Sequence, residues 1–177
     1  MIEQIDDNRI LKNVTHIISD FLAKNLPKHE PERFLTPHLP VRVQKDITSP
    51  EDLKRSDLYC NLRVLIFNDR YFRDIDLFSD NTINGCARIA LAYRNRIAHQ
   101  SYNEIVSLEH LQLEYIAINR LISLLPTVPA LQPIIEDTRV YIGSILVFLA
   151  KEYFNTEIAS AEKVVIKLTN SDQNLFT

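Results

Sequence analysis

The chain has 177 residues, 46% apolar and 24% charged, which is enough for one domain with a substantial core. Its two glycines disfavour glycine-rich phosphate loops, Rossmann turns and hairpin-rich β folds. The net charge of −3 argues against a surface that binds polyanions everywhere. Residues 61–100, however, hold six arginines against four aspartates, so any nucleic-acid contact should be local.

The apolar periodicity predicts an all-α fold of about six helices in one domain. The first helix is expected over residues 2–25, within an N-terminal segment 1–26. Residues 27–50 contain five of the eight prolines, which predicts a long connection with a short extended piece at 41–43. The remaining predicted helices span residues 50–72, 81–99, 108–125, 134–154 and 157–169.

The helix predicted over residues 50–72 begins at a strong start signal, Ser49-Pro50, and is apolar on two sides. A helix of that kind lies in the middle of a bundle. We therefore expect residues 50–155 to form the bundle core and residues 156–177 to supply a C-terminal helix and tail.

No membrane span or metal site is expected. The chain has no run of about eighteen apolar residues, and its acidic N-terminus is unlike a signal peptide. Cys60 and Cys86 lack metal-ligand spacing, as do the scattered histidines. The sequence thus predicts an intracellular, cytoplasmic protein without a cofactor, with both thiols buried.

The most informative stretch is Tyr93-Arg94-Asn95-Arg96-Ile97-Ala98-His99, at the end of the predicted 81–99 helix. Arg94 falls on the apolar stripe of that helix, although arginine is rarely buried unless it is paired. Asp69 lies on an apolar stripe of the preceding helix, so the two could pair if the helices pack antiparallel. The alternative, which we favour, places Asp69 in solvent near its helix end.

Residues 94–99 resemble the Arg-polar-x-x-x-His signature of the HEPN superfamily, whose members are helical bundles with the signature at the end of a long helix. The resemblance implies a metal-independent endoribonuclease in RNA processing, antiviral defence or toxin activity, acting on RNA as a homodimer, in some cases under a regulatory partner protein. It assigns the catalytic roles to Arg94 and His99 and a supporting role to Asn95. Some toxins of the superfamily carry a modified tyrosine two residues after the histidine, whereas here Ser101 stands there and Tyr102 follows it.

The chemistry is plausible on physical grounds. RNA supplies its own nucleophile, the 2′-hydroxyl, and histidine can act as acid or base near neutral pH. Arginine offers several donors to the charge that develops on phosphate. One motif supplies one histidine, whereas a symmetric dimer supplies two and completes an acid–base pair.

Other interpretations remain open for these residues. His99 can simply cap the carbonyls at its helix end, and Arg94 can belong to a structural ion pair. Tyr93 fits core or interface packing. Four further residues are candidates for RNA binding or a supporting role: Arg96, Arg88, Tyr102 and Asp69. For Arg96 and Arg88, as for Arg73, a place on a solvated face is the more favoured interpretation. The alternative function is a non-catalytic HEPN-like module that dimerises, recruits a partner or binds a nucleotide.

Overall fold

The computed structural model describes residues 5–78, 82–99 and 106–173, with side chains described as far as residue 163. Within these residues there is no β-strand, so the predicted all-α class is confirmed, and the number of helices is close to that expected. The α-helices in chain order are α1 (Asp7–Asn25), α2 (Pro31–Phe34), α3 (Leu58–Phe67), α4 (Asp69–Asp74), α5 (Thr82–His99), α6 (Leu108–Leu124) and α7 (Gln132–Gln173).

Helix α1 ends at residue 25 as predicted, but it begins at Asp7 and not at residue 2, since Ile5 and Asp6 are not helical. Asp6 caps it by accepting a hydrogen bond from the backbone N–H of Arg9 at 3.1 Å. Every residue of the predicted apolar stripe is buried in one continuous core: Ile10, Val14, Ile17, Ile18 and Phe21.

The proline-rich connection contains short helical turns. Besides α2, it forms 3-10 helices at Thr36–His38 and Val41–Val43. The prediction of an extended piece at residues 41–43 was therefore wrong. Val43 donates its backbone N–H to the Pro40 carbonyl at 2.9 Å, and this local bond outweighs the β preference of valine.

The single helix predicted over residues 50–72 is in fact three segments: the 3-10 helix Pro50–Arg55, α3 and α4. Asp57 restarts the chain as the N-cap of α3 and accepts the Cys60 N–H at 2.9 Å. Asn68 separates α3 from α4. Its Nδ2 donates to the carbonyls of Val64 and Phe34, both at 2.8 Å, and so competes with regular helix bonding.

Helix α5 packs between α3 and α6. The two C-terminal helices predicted after residue 133 are one helix, because α7 continues through the segment expected to separate them. That segment, residues 155–156, contains no proline or glycine to end a helix. No helix in the described part of the chain is long and apolar enough to cross a bilayer.

One carboxylate connects three helices inside this core. Oδ1 of Asp7, in the first turn of α1, accepts hydrogen bonds from the hydroxyls of Tyr93 on α5 at 2.6 Å and Tyr115 on α6 at 2.8 Å. Both tyrosines are almost fully buried. Burial, together with the negative charge of Asp7, raises the pKa of both hydroxyls, so they remain donors at neutral pH. Tyr93 is thus a core residue, as predicted.

We expect Asp7→Ala to destabilise the protein, because each buried hydroxyl that loses its acceptor costs about 1–3 kcal/mol. Adding Tyr93→Phe and Tyr115→Phe to that variant should restore part of the loss, which urea unfolding can measure. Asp137→Ala is the control, because its ion pair with Arg9 is about half exposed. Equal stability of the Asp7 and Asp137 variants would contradict this prediction.

Candidate functional site

The two arginines of the motif face opposite sides of α5. Arg94 and Arg96 are two residues apart, or about 200° around a helix. Since α5 lies between α3 and α6, one guanidinium points towards each neighbour: Arg94 contacts Asp57 before α3, and Arg96 contacts Glu114 on α6. The structure thereby gives the two arginines different environments.

Arg94 is partly exposed beside the start of α3. Its Nη2 lies 2.7 Å from Oδ2 of Asp57, and its guanidinium carbon lies 5.2 Å from the ring centroid of Tyr59. The Arg94 side chain is 21% exposed and that of Asp57 is 48% exposed, so water reaches this pair. The contact from Nη1 to Asn95 is long, at 3.4 Å, which leaves guanidinium donors available to an anion.

Asp57 has two roles, since it caps α3 and also pairs with Arg94. Burial would raise the pKa of its carboxyl, but hydrogen bonds from Cys60 and the positive charge of Arg94 outweigh burial and lower it. The carboxylate is therefore charged at neutral pH. The neighbouring Cys60 thiol, in contrast, has its pKa raised to about 12 by burial and by Asp57, so it is not a nucleophile.

Arg96 is structural. Its guanidinium makes a forked contact with Glu114, Nη2 to Oε2 at 2.6 Å and Nε to Oε1 at 3.1 Å, and the Glu114 side chain is only 1% exposed. Burial opposes the charge of Arg96, but Glu114 outweighs it and raises the arginine's pKa. The interpretation of Arg96 as part of a solvated face was wrong, because α6 brings a buried carboxylate against it.

The proposed pair between Asp69 and Arg94 does not form, and Asp69 is not in solvent either. Asp69 is 6% exposed, and its Oδ2 lies 2.6 Å from Nη2 of Arg73, one turn further along α4. Arg73 lies four residues after Asp69 on α4, a spacing that places both side chains on one face of the helix.

His99, the last residue of α5, is exposed. Its imidazole has no hydrogen-bond partner among the residues that the structure describes. None of the described residues therefore holds the imidazole in a helix-capping contact, and the ring is accessible to a ligand. Tyr102 lies outside the described residues.

Arg88 lies six residues, or about 1.7 turns, before Arg94 on α5 and is exposed to solvent. Its Nε donates to Oδ1 of Asn84 at 2.9 Å, which matches the interpretation of Arg88 as part of a solvated face. Cys60 and Cys86 are both buried, as predicted. Among the described residues, no group of three or more His, Cys, Asp or Glu side chains is placed to hold a metal ion.

Three residues beside the motif were missed by sequence reasoning: Asp57, Tyr59 and Glu114. Only Asp57 carries a recognisable signal, because an aspartate before Leu58-Tyr59-Cys60 is a typical N-cap. Tyr59 and Glu114 approach α5 through tertiary packing, for which spacing along the chain provides no indication.

Comparisons of the chain with protein-family models, curated protein sequences and solved structures gave no match. The similarity to the HEPN superfamily therefore consists of the motif at residues 94–99 and its place at the end of a helix.

We expect Arg96→Ala and Arg94→Ala to differ sharply in stability. Removing Arg96 leaves the buried Glu114 carboxylate with only the exposed His110 beside it, Nε2 to Oε1 at 3.4 Å, which should cost about 3–5 kcal/mol. Removing Arg94 breaks a water-accessible pair and should cost about 0–1 kcal/mol. Urea unfolding of both variants tests this, and a loss for Arg94→Ala as large as that for Arg96→Ala would mean that Arg94 is a structural residue.

Proposed function

We propose that this chain is a metal-independent endoribonuclease, with Arg94 and His99 as catalytic residues and Asn95 in support. The observation that carries this proposal is that the two arginines on α5 lie in different environments. Arg96 is paired with the buried Glu114 carboxylate. Arg94 is partly exposed and keeps guanidinium N–H donors available to an anion, and His99 is exposed at the same helix end. A partly exposed arginine and an accessible histidine, five residues apart on one helix, supply the two kinds of group that phosphate chemistry uses.

In the proposed reaction, the 2′-hydroxyl of a ribose attacks the adjacent phosphorus while a histidine removes its proton. The bond from phosphorus to the 5′-oxygen breaks, and that oxygen receives a proton from a second histidine. The products are a 2′,3′-cyclic phosphate and a free 5′-hydroxyl. The Arg94 guanidinium donates to the phosphate oxygens and stabilises the charge that builds up on them. Asn95 lies beside it and can orient it.

Two histidines with complementary roles require two copies of the chain, since one motif supplies one His99. Apolar side chains near the motif support a homodimer at this end. Leu113 and Ile116 on α6 are each 50% exposed, and they flank Glu114, which contacts Arg96. An interface over this part of α6 would therefore bring two α5 ends together.

The alternative function, a non-catalytic HEPN-like module, is favoured by one contact: the Asp57 carboxylate already partly neutralises Arg94. A phosphate must share the guanidinium with Asp57 or displace it. Asp57→Asn distinguishes the two functions, because it frees Arg94 while keeping a side-chain acceptor for the N-cap. In an endoribonuclease it should alter the KM for RNA, whereas in a structural pair it should alter only stability.

We expect His99→Ala to lower RNA cleavage by about 10²–10⁴-fold, because it removes a proton-transfer group. Arg94→Ala should lower it by about 10²–10³-fold, since it removes charge stabilisation. Gel analysis of a labelled RNA in EDTA measures both rates, and phosphatase resistance of the 3′ ends checks for the cyclic phosphate. Arg88→Ala, an exposed arginine on the same helix, is the control and should cleave normally. Full activity of His99→Ala, or activity that EDTA abolishes and magnesium restores, would refute this mechanism.

The proposed homodimer should have about twice the chain mass of 20.6 kDa in light scattering. Leu113→Glu with Ile116→Glu should give a monomer and abolish cleavage, because like charges would face each other across the two-fold axis. Val140→Glu with Val147→Glu is the matched control, since these exposed valines lie on α7. If the α7 variant separates the protomers and the α6 variant does not, the interface lies elsewhere and the argument about converging motifs is wrong.

A further inference from the structure

Basic and aromatic side chains alternate along one face of α3, from Arg94 towards α4. Tyr59, Arg63 and Phe67 are spaced four residues apart and so share that face. The Arg63 guanidinium carbon lies 5.6 Å from the ring centroid of Tyr59 and 5.2 Å from that of Phe67. Arg94 approaches Tyr59 at 5.2 Å. The catalytic arginine is thus joined to Phe67 by successive cation–π contacts.

Arg63 keeps its positive charge unneutralised, because its hydrogen-bond acceptors are uncharged. It donates to the backbone carbonyl of His38 at 2.9 Å and to the hydroxyl of Tyr59 at 3.2 Å, both of which are uncharged acceptors. In the described part of the chain no carboxylate pairs with it. Its charge therefore remains available to an approaching anion.

The row ends at a groove of about 450 Å³ between α2, α3 and α4, within the range of small-ligand sites. Its lining includes Arg33, His38, Phe67, Arg70, Tyr71 and Asp74. The rings of His38 and Phe67 are stacked, with centroids 5.1 Å apart and planes 8° from parallel. Phe67 is nevertheless 53% exposed, which is unusual for phenylalanine and leaves ring surface open to a ligand.

The charges in the groove favour an anion. Arg70 is exposed and has no carboxylate partner among the described residues. Arg33 shares Glu30 in a surface pair at 3.2 Å, with both side chains largely exposed, so that pair is weak. Asp74 is the opposing carboxylate in the lining. Burial and the charge of Arg63 lower the pKa of His38, whose ring is accordingly uncharged at neutral pH and contributes as a stacking surface.

We propose that this groove is a binding subsite for an unpaired nucleotide of an RNA strand, with the base against Phe67 and the phosphate at Arg70 and Arg33. Bases stack on aromatic side chains when they are unpaired, while arginines follow the backbone. Tyr59 to Phe67 spans about 12 Å of helix, or about three to four stacked nucleotides at 3.4 Å each. The subsite deepens the proposed endoribonuclease function and rests on it, because it would hold the strand whose scissile phosphate lies at Arg94.

The test measures binding and cleavage separately. Binding is followed by the fluorescence anisotropy of a labelled oligouridylate of about twelve nucleotides, in the His99→Ala background so that the strand stays intact. Phe67→Ala should weaken binding about 5-fold or more without changing its salt dependence, because it removes stacking and no charge. Arg70→Ala should weaken binding and reduce the slope of log affinity against log salt by about 0.7, the value for one phosphate contact on a single strand.

Matched controls lie elsewhere on the surface. Phe154→Ala removes a phenylalanine on α7 that is 65% exposed, and Arg120→Ala removes an exposed arginine on α6. Both should bind the oligouridylate as tightly as the parent protein. The same sequence annealed to its complement should bind more weakly than the single strand, since its bases are covered by their neighbours.

The outcomes separate this subsite from the proposed activity. If the protein binds the single strand through Phe67 and Arg70 but does not cleave RNA, the subsite stands and the nuclease assignment falls. If the wild-type protein cleaves RNA while Phe67→Ala and Arg70→Ala bind as the controls do, the subsite is wrong and the nuclease assignment stands. Equal affinity for single and double strands, or no measurable binding, also overturns the subsite.

Discussion

The orientation of α5 depends on the buried ion pair between Arg96 and Glu114. With the Glu114 side chain only 1% exposed, its charge requires a partner in a fixed position, and the forked contact with Arg96 supplies one. Fixing Arg96 towards α6 turns Arg94, about 200° around the helix, towards α3. The hydrogen bonds from Tyr93 and Tyr115 to Asp7 reinforce this arrangement by connecting the same two helices to α1. The direction in which the partly exposed Arg94 points thus depends on the buried contact that Arg96 makes.

The second determinant of the site is the break before α3. Had the chain continued as one helix from Pro50, Asp57 would lie in a helix interior with its side chain directed away from the backbone N–H groups. As an N-cap it accepts the Cys60 N–H while its other oxygen contacts Arg94. A single carboxylate therefore starts the helix that carries Tyr59, Arg63 and Phe67, and sets the position of Arg94 at the head of that row. Local capping and the geometry of the site are linked through this residue.

The sequence predicted what depends on short-range patterns. The apolar stripe of α1, the cap at Ser107 and the limits of α5 and α6 follow from periodicity and end signals, and the structure agrees with them. It failed where one residue decides between local alternatives, as at Asp57 and Asn68, which divide an apparently continuous helix. It also misjudged Arg96, because spacing along the chain does not show that α6 brings a buried carboxylate against it. Glu114 lies 18 residues after Arg96, and only the packing of α6 against α5 brings them together.

The net charge of the chain bears on how the proposed site would hold RNA. A protein of net charge −3 repels a polyanion at long range, so the RNA strand that we propose as its substrate would be held by local contacts. Arg63 and Arg70 lack carboxylate partners within the described residues, and both lie on the side of α3 and α4 where Phe67 is exposed. Stacking is insensitive to salt, whereas each arginine contact weakens as salt rises. The proposed subsite combines the two, so it would favour unpaired RNA, whose bases are accessible, over duplex, which offers mainly phosphate.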